Sequence, residues 1–253
     1  MTDSQKHLDM NRTAWDTAHP DLRNRRRSDW ADDIRRGESG RPPTEVSLMG
    51  DVCGLDVMQL SCAGDATQAF WLANEGARVT ACDFSPNAID IAREHAADFG
   101  IDITFVVDDS QRLTTQADAS FDWVHADYNT SYYEDLPLAC RNWYRVLRPG
   151  GRLILHETHP MMNCMDWQGD PPRLAVLRSY FDKSPEYYDF HIKGLQYDLP
   201  AVEFHKTLAD LVNTVVDAGF LLRRMEEPPG DEHGRYGFDG LPADVYLITQ
   251  KPG

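Results

Sequence analysis

Between residues 57 and 156 the chain alternates short apolar runs with longer stretches of helical spacing. Val57-Met-Gln-Leu60, Arg78-Val-Thr-Ala-Cys82, Ile103-Thr-Phe-Val-Val107, Phe121-Asp-Trp-Val-His-Ala126 and Arg152-Leu-Ile-Leu-His156 read as strands, being short, largely apolar and flanked by loop or turn residues. Between them the spacing predicts helices. One covers Ala66–Glu75 and is closed by Gly76. Another has Ser85 as cap and Pro86 near its first position, and runs to about Phe99 before Gly100. A third covers Leu136–Leu147 and is stopped by Arg148-Pro-Gly-Gly151. Such alternation implies βαβ units with right-handed crossovers, hence a parallel sheet covered on both faces. It resumes with a helix over Thr207–Ala218, closed by Gly219, then strands at Phe220–Met225 and Asp244–Thr249. No helix lies between those two strands, so they form an antiparallel hairpin at one edge. The fold class is α/β: a doubly wound, mostly parallel seven-stranded sheet with an antiparallel C-terminal edge hairpin.

Two regions depart from this pattern. Residues 1–45 are polar, with helix signals at Asn11–Trp15 and at Ser28-Asp-Trp30, where Ser28 is a candidate cap, followed by the breakers Gly37, Gly40, Pro42 and Pro43. They read as an N-terminal helical arm, or lid, outside a core of residues 46–253. Residues from about 160 to 204 contain Met161, Met162, Tyr180, Phe181, Tyr187, Tyr188 and Phe190 without a clear period. This aromatic-rich insertion is expected to pass over the carboxyl edge of the sheet and cover a substrate pocket.

Composition narrows the function. A chain of 253 residues, 42% hydrophobic and 26% charged, can bury one sizeable core. No stretch has the apolar length of a membrane span and the first residues lack an apolar signal core, so the expected location is cytoplasmic, with no membrane partner. Five widely spaced cysteines without a Cys-x-x-Cys pair argue against disulfides and a zinc knuckle, and no metal site is expected. The formal net charge of −16 disfavours nucleic acid, whose affinity rests on Lys and Arg contacts to phosphates. A basic cluster at Arg23, Arg25, Arg26 and Arg27 is interleaved with acids further on and reads as a charge-paired helix face.

Ligands of open parallel sheets bind outside the carboxyl ends of the strands. The turn after the first strand, Ser61 to Ala66, has small side chains at Ser61, Ala63 and Gly64 but lacks the three-glycine dinucleotide pattern. Asp83 ends the second strand, where a carboxylate can accept both hydroxyls of a ribose. Asp109 follows the third and can accept from a purine amine, with the Ser110 N–H donating to the ring. Either aspartate also suits a helix cap; together at successive strand ends they favour a nucleoside-like cofactor.

On these residues the chain resembles the class I S-adenosylmethionine-dependent methyltransferases, over roughly residues 46–253. VMQLSCAGDA stands where that family has its glycine-rich first motif, and ARVTACDFSPNAIDIAR resembles its second. ITFVVDDSQRL and ASFDWVHAD resemble the third and fourth regions, and YRVLRPGGRLILHE the segment before strand five. The resemblance implies a Rossmann-like core and S-adenosylmethionine as cofactor. It places the methionine end along Ser61–Asp65, the ribose on Asp83, the adenine against Phe84 and read by Asp109 and Ser110, and Asp127 and Tyr128 beside the sulfonium. Gln59 replaces the usual acid, and Ser61, Ala63 and Asp65 replace the usual glycines. A subset of the family is similar in the C-terminal half as well, through His159-Pro160, Tyr180-Phe181, His205-Lys-Thr-Leu208 and Ala218-Gly-Phe220.

The implied activity is methyl transfer to an O or N atom of a small aromatic or heterocyclic acceptor, by a monomer or homodimer. A non-catalytic cofactor-binding module and an RNA methyltransferase are the alternatives. For an acceptor that must lose a proton, His159 is the first candidate base and Glu157 the second, both at the end of strand five; His156 and His125 read as core residues. Trp15, Tyr128, Tyr132, Tyr180 and His205, with His159, are candidate walls of the acceptor pocket.

Overall fold

In the computed structural model the described residues are 3–23, 27–169, 173–192, 194–229 and 240–253. Seven strands form one sheet in the order β10-β11-β5-β4-β1-β2-β3. They are β1 (Asp56–Gln59), β2 (Arg78–Asp83), β3 (Thr104–Val107), β4 (Phe121–Asp127), β5 (Leu147–Thr158), β10 (Leu221–Glu226) and β11 (Asp244–Gln250). The first five are mutually parallel, and β11 runs antiparallel to both β5 and β10. This is the predicted Rossmann-like sheet with its edge hairpin.

Strand alternation divides the core into two layers. Val57, Trp123 and Ile154 face α4 (Thr67–Asn74) and α5 (Pro86–Phe99) through Phe70, Leu72, Ile89 and Ala92. Their sequence neighbours Met58, Val124 and Leu153 face α6 (Leu136–Val146) and α7 (Leu208–Asp217) through Leu136, Trp143, Leu211 and Val215. The caps fall where the chemistry of Ser and Thr puts them: Ser85 Oγ accepts from Ala88 N, and Thr207 forms a capping box with Asp210. Strand β5 starts earlier than the pattern predicts, because Leu147 leaves α6 and pairs with Phe121.

The first 45 residues need correction. Helix α1 (Asp3–Leu22) is far longer than the short helix expected at Asn11–Trp15. Its buried face is Asn11, Ala14, Ala18 and His19, a stripe too small and polar to show as hydrophobic periodicity. Nor do residues 1–45 all stand outside the core. Helix α2 (Arg27–Arg35), which begins one residue before Ser28, places Trp30, Ala31 and Ile34 in the layer with α4 and α5. The breakers lead into α3 (Pro43–Met49), whose Glu45 and Met49 are buried, so a boundary at residue 45 cuts a helix. Arg41 anchors this entry through Glu45 and Glu75. Of the basic cluster, Arg25 and Arg26 lie outside the described residues, while Arg23 pairs with Glu94.

The insertion forms two antiparallel hairpins, β6 (Met165–Gln168) with β7 (Arg173–Val176) and β8 (Glu186–Ile192) with β9 (Leu195–Glu203). Pro200 inside β9 reads as a breaker, but a two-stranded ribbon has an unpaired edge that tolerates it. Helix α1 lies between β9 and α5. Asn11 bonds Val202 like a strand partner, donating to its carbonyl and accepting from its N–H at 2.9 Å each. Asp16 accepts from Ser85 Oγ at 2.6 Å and from Asn87 N at 3.0 Å. Among the described residues, no helix is long and apolar enough to cross a membrane.

Candidate active site

The turn after β1 holds its shape through backbone and side-chain ties. Cys62 N donates to Cys82 O, Ser61 N to Ser110 Oγ at 3.1 Å, and Ala63 N to Asp83 Oδ2 at 3.0 Å. Ser61, Ala63 and Ala66 have φ of 50°, 55° and 42°, in the left-handed region that strains an L side chain. The backbone thus turns as a glycine-rich loop would, using small residues in its place. At Gly64, the one glycine here, an added Cβ would sit tightly against Ile91 Cγ2 at 3.3 Å.

A cavity of about 250 Å³ opens over this turn, at the carboxyl ends of β1, β2 and β4. Of the sequence-predicted cofactor residues it gathers Gln59, Ser61, Ala63, Asp65, Asp83, Phe84, Asp127 and Tyr128, together with Trp15 and Tyr132. Gly64 borders a smaller adjoining cavity. Asp109 opens instead on a separate pocket beside the start of α1, and Ser110 is fully buried, its hydroxyl spent beneath the turn on Ser61. Asp83 is 4% exposed and its carboxylate is shared with the backbone, since Ser85 N donates to Oδ1 at 2.9 Å. Burial raises its pKa above the ordinary value, against the two N–H donors.

Several cavity residues carried no prior signal. His19 and Asn129 line it, with Gln68 and Trp71 from α4. Gln59 Oε1, Gln68 Oε1, Trp71 Nε1 and both polar atoms of the Asn129 amide are buried without a hydrogen-bond partner. Buried polar atoms are nearly always paired, so this wall fits a polar, zwitterionic guest. The methionine end of S-adenosylmethionine is one, and the aromatic residues Phe84, Trp15 and Tyr132 suit its base. A residue alone in sequence, such as Asn129, becomes legible only when the fold buries its amide beside a cavity.

The end of β4 is held from below. Asp127 Oδ1 lies 2.8 Å from His156 Nδ1, and Tyr128, in the left-handed region at φ 46°, donates its hydroxyl to Asp244 Oδ1 at 2.9 Å. Burial pulls the His156 pKa down, but the hydrogen bonds and charges of Asp127 and Asp244 outweigh it and push it to about 9. His156 is thus a buried core residue, as the sequence suggests, that is also tied into this network by Asp127 and Asp244.

The two candidate bases sit elsewhere. Glu157 accepts from Asn129 N at 2.8 Å and Thr130 N at 2.6 Å, shaping the turn after β4. Burial, only partly offset by those donors, pushes its carboxyl to about 7. His159 has Nδ1 3.2 Å from Met161 N and Nε2 2.9 Å from Glu227 Oε1. Neither residue lines the cavity over the turn or the one beside it. Both ring nitrogens of His159 are engaged, because the chain turns away at Pro160 and carries the ring out of the crevice. Tyr180 is also withdrawn, with its hydroxyl accepting from Leu208 N at 2.7 Å. His125 is fully buried inside β4, with Nε2 3.1 Å from Glu45 Oε1, in keeping with a core position.

A second cavity, of about 550 Å³, adjoins the first. Trp15 and Tyr132 line both, edge to face with centroids 5.8 Å apart. Its other walls include Arg178, Tyr188, Phe190, Glu203 and His205. His205 Nε2 lies 2.9 Å from the Tyr180 carbonyl. Among the described residues no group of three His, Cys, Asp or Glu side chains could hold a metal ion.

Comparison with known proteins agrees with this geometry. Residues 58–155 match the family model described as a methyltransferase domain. The chain is 30% identical over 226 residues to an uncharacterized methyltransferase, YbaJ, of Bacillus subtilis, covering 85% of each protein. Among solved structures, an S-adenosylmethionine-dependent methyltransferase from Mesorhizobium loti superposes with a TM-score of 0.68 at 22% identity, over 83% of this chain and 96% of that one. The 1,6-didemethyltoxoflavin-N1-methyltransferase of Burkholderia thailandensis, solved with 1,6-didemethyltoxoflavin and S-adenosylhomocysteine, superposes with a TM-score of 0.60 at 16% identity, over 100% of this chain and 92% of that one. A doubly wound sheet with its edge hairpin, a tight turn over a polar crevice and a relative matched along most of its length have one common explanation: this chain belongs to the class I S-adenosylmethionine-dependent methyltransferases.

Proposed function

We propose that this methyltransferase modifies an O or N atom of a small aromatic or heterocyclic metabolite. The observation that carries the reading is the pair of cavities meeting at Trp15 and Tyr132, one over the cofactor turn and one walled by the insertion. In it, Ser61–Asp65, the unpaired amide oxygens of Gln59 and Gln68 and the unpaired Asn129 amide receive the methionine end. Asp83 takes the ribose and Phe84 the base, with Asp127 and Tyr128 beside the sulfonium. Asp109 contributes only from the far side of Tyr132, across the neighbouring pocket.

The cofactor supplies an already activated methyl group, so this chain's residues must align the acceptor and exclude water. Trp15 and Tyr132 stand at the junction where the two ligands would meet, and α1 closes it from above as a lid. The reading gives His159 and Glu157 positioning duties in place of base catalysis, because of their engaged hydrogen bonds. A net charge of −16 supports a small acceptor over nucleic acid. The free thiols of Cys53, Cys62, Cys82, Cys140 and Cys164 suit a reducing compartment such as the cytoplasm. A structural neighbour that is an N1-methyltransferase solved with 1,6-didemethyltoxoflavin bound lends further support.

Calorimetry with S-adenosylhomocysteine, followed by a screen with methyl-labelled cofactor against phenols, catechols and nitrogen heterocycles, tests the reading. Micromolar binding and label on a ring substituent are expected. Tight binding with no transfer to any member of the panel would count against it.

A further inference from the structure

The second cavity has its own chemistry. Glu203, the last residue of β9, lines it half-buried. Tyr188 donates its hydroxyl to Oε1 at 3.0 Å, and the Tyr132 hydroxyl faces the same carboxyl group. Among the described residues no cation lies within ion-pair distance of it. The nearby Arg178 pairs with Glu186 and donates to the Asp182 carbonyl, while its buried Nε has no hydrogen-bond partner. Lys206 turns its Nζ to the Phe204 carbonyl at 2.8 Å, over the Phe204 ring, and His205 faces the Tyr180 carbonyl through Nε2. Arg178 and Glu186 cancel, which leaves one unmatched negative charge at the wall.

Burial raises the Glu203 pKa, and the Tyr188 and Tyr132 hydroxyls only partly offset it. Two neutral hydroxyls orient a carboxylate without neutralising it. Beside it stand flat apolar faces: Trp15 packs edge to face on Phe190 at 5.1 Å and on Tyr132 at 5.8 Å. A half-buried carboxylate among aromatic faces is complementary to a planar ring bearing N–H donors, above all a cationic one.

We propose that Glu203 selects the methyl acceptor, holding a planar nitrogen compound by its N–H groups, of amidine or aminoheterocycle type, within the second cavity. This deepens and rests on the proposed function, with the second cavity as acceptor site. It also places anionic acceptors at a disadvantage, since their charge would face that of Glu203.

The probes are benzamidine, its neutral isostere benzamide and its anionic counterpart benzoate. They are titrated into the full chain by ligand-observed NMR, with and without S-adenosylhomocysteine. Benzamidine is expected to bind at least tenfold more tightly than benzamide, and benzoate least. Glu203→Gln should bring benzamidine down to the level of benzamide while S-adenosylhomocysteine binds as in the wild type. The wild-type ligand series stands without the variant, should that variant misfold. Equal binding of benzamidine and benzamide, tighter binding of benzoate, or unchanged benzamidine affinity in Glu203→Gln would overturn the assignment alone. Wild-type protein that fails to bind S-adenosylhomocysteine would overturn the function on which it rests.

Discussion

Replacing Asp83 by Asn separates the two duties its carboxylate holds in this fold. Its oxygens accept from Ala63 N at 3.0 Å and Ser85 N at 2.9 Å, tying the turn after β1 to the start of α5. An amide keeps one acceptor and turns an NH₂ group toward the other donor, so one charge-assisted hydrogen bond is lost. That loss costs about 1.5–3 kcal/mol. Part is recovered because Asp83 is 4% exposed with its pKa raised by burial, and a neutral side chain avoids that desolvation. A net loss of about 1–2 kcal/mol is expected, or roughly 2–8 °C in Tm for a chain of this size. Cofactor affinity is expected to suffer more sharply, since an amide is a poorer acceptor for ribose hydroxyls. Each charged bond lost there is worth about 1.5–3 kcal/mol, or roughly 10–150-fold in Kd. Gln59→Ala is the comparison: it removes an uncharged amide whose Oε1 has no partner in the fold and whose Nε2 donates to the Leu60 carbonyl, so it is expected to weaken cofactor binding less than Asp83→Asn. Thermal melts and calorimetry with S-adenosylhomocysteine on both variants provide the test. Equal affinity in Asp83→Asn and Gln59→Ala would refute the assignment of this turn as the cofactor cradle.

Two further outcomes follow from the network at the strand ends and from the arm. The His156 pKa is raised to about 9, so its contribution to stability is complete below its ordinary 6.5 and is lost as pH rises through 9. Glu157, raised to about 7, favours the folded state most below its ordinary 4.5 and loses that as pH rises through 7. Urea midpoints should therefore fall from pH 5 to 9, with His156→Gln flattening the upper part; a flat wild-type profile above pH 7 would contradict the His156 network. Asp16→Ala removes the bonds from Ser85 Oγ and from Asn87, and should speed proteolytic cleavage within α1 about 10–100-fold. In the wild type, S-adenosylhomocysteine should slow the same cleavage; equal rates with and without it would sink the lid.

Sheet and helices of the core were legible because each carries its own local signal. The strands are apolar runs, the helices begin at Ser85, Pro86 and Thr207, and they stop at Gly76, Gly100 and Gly219. Crossover handedness places helices on both faces of the sheet, whereas the order of its strands is set by the tertiary fold. Asp83 and Asp127 were legible for the same reason, since a polar residue closing a strand must emerge at the carboxyl edge. The arm and insertion were not. Helix α1 buries little more than two alanines and an asparagine on that face, and β9 contains Pro200, so neither shows a hydrophobic period.

What the sequence by itself determined is the class of fold, the family and the strand ends where a cofactor belongs. Tertiary structure alone decided which polar groups share a cavity. It carried His159 and Tyr180 out of the crevice, engaged Glu157 with backbone, and left Asn129 and Gln59 with unpaired buried atoms beside it. It also brought Trp15 of the first helix against Tyr132 and Phe190. The physical reason is that local propensity reports on neighbours in the chain, whereas burial, hydrogen-bond competition and charge pairing depend on residues distant in sequence. Glu203 is the clearest case: an ordinary acid at a strand end, given a role by the aromatic rings and the Glu186-paired arginine that the fold sets around it.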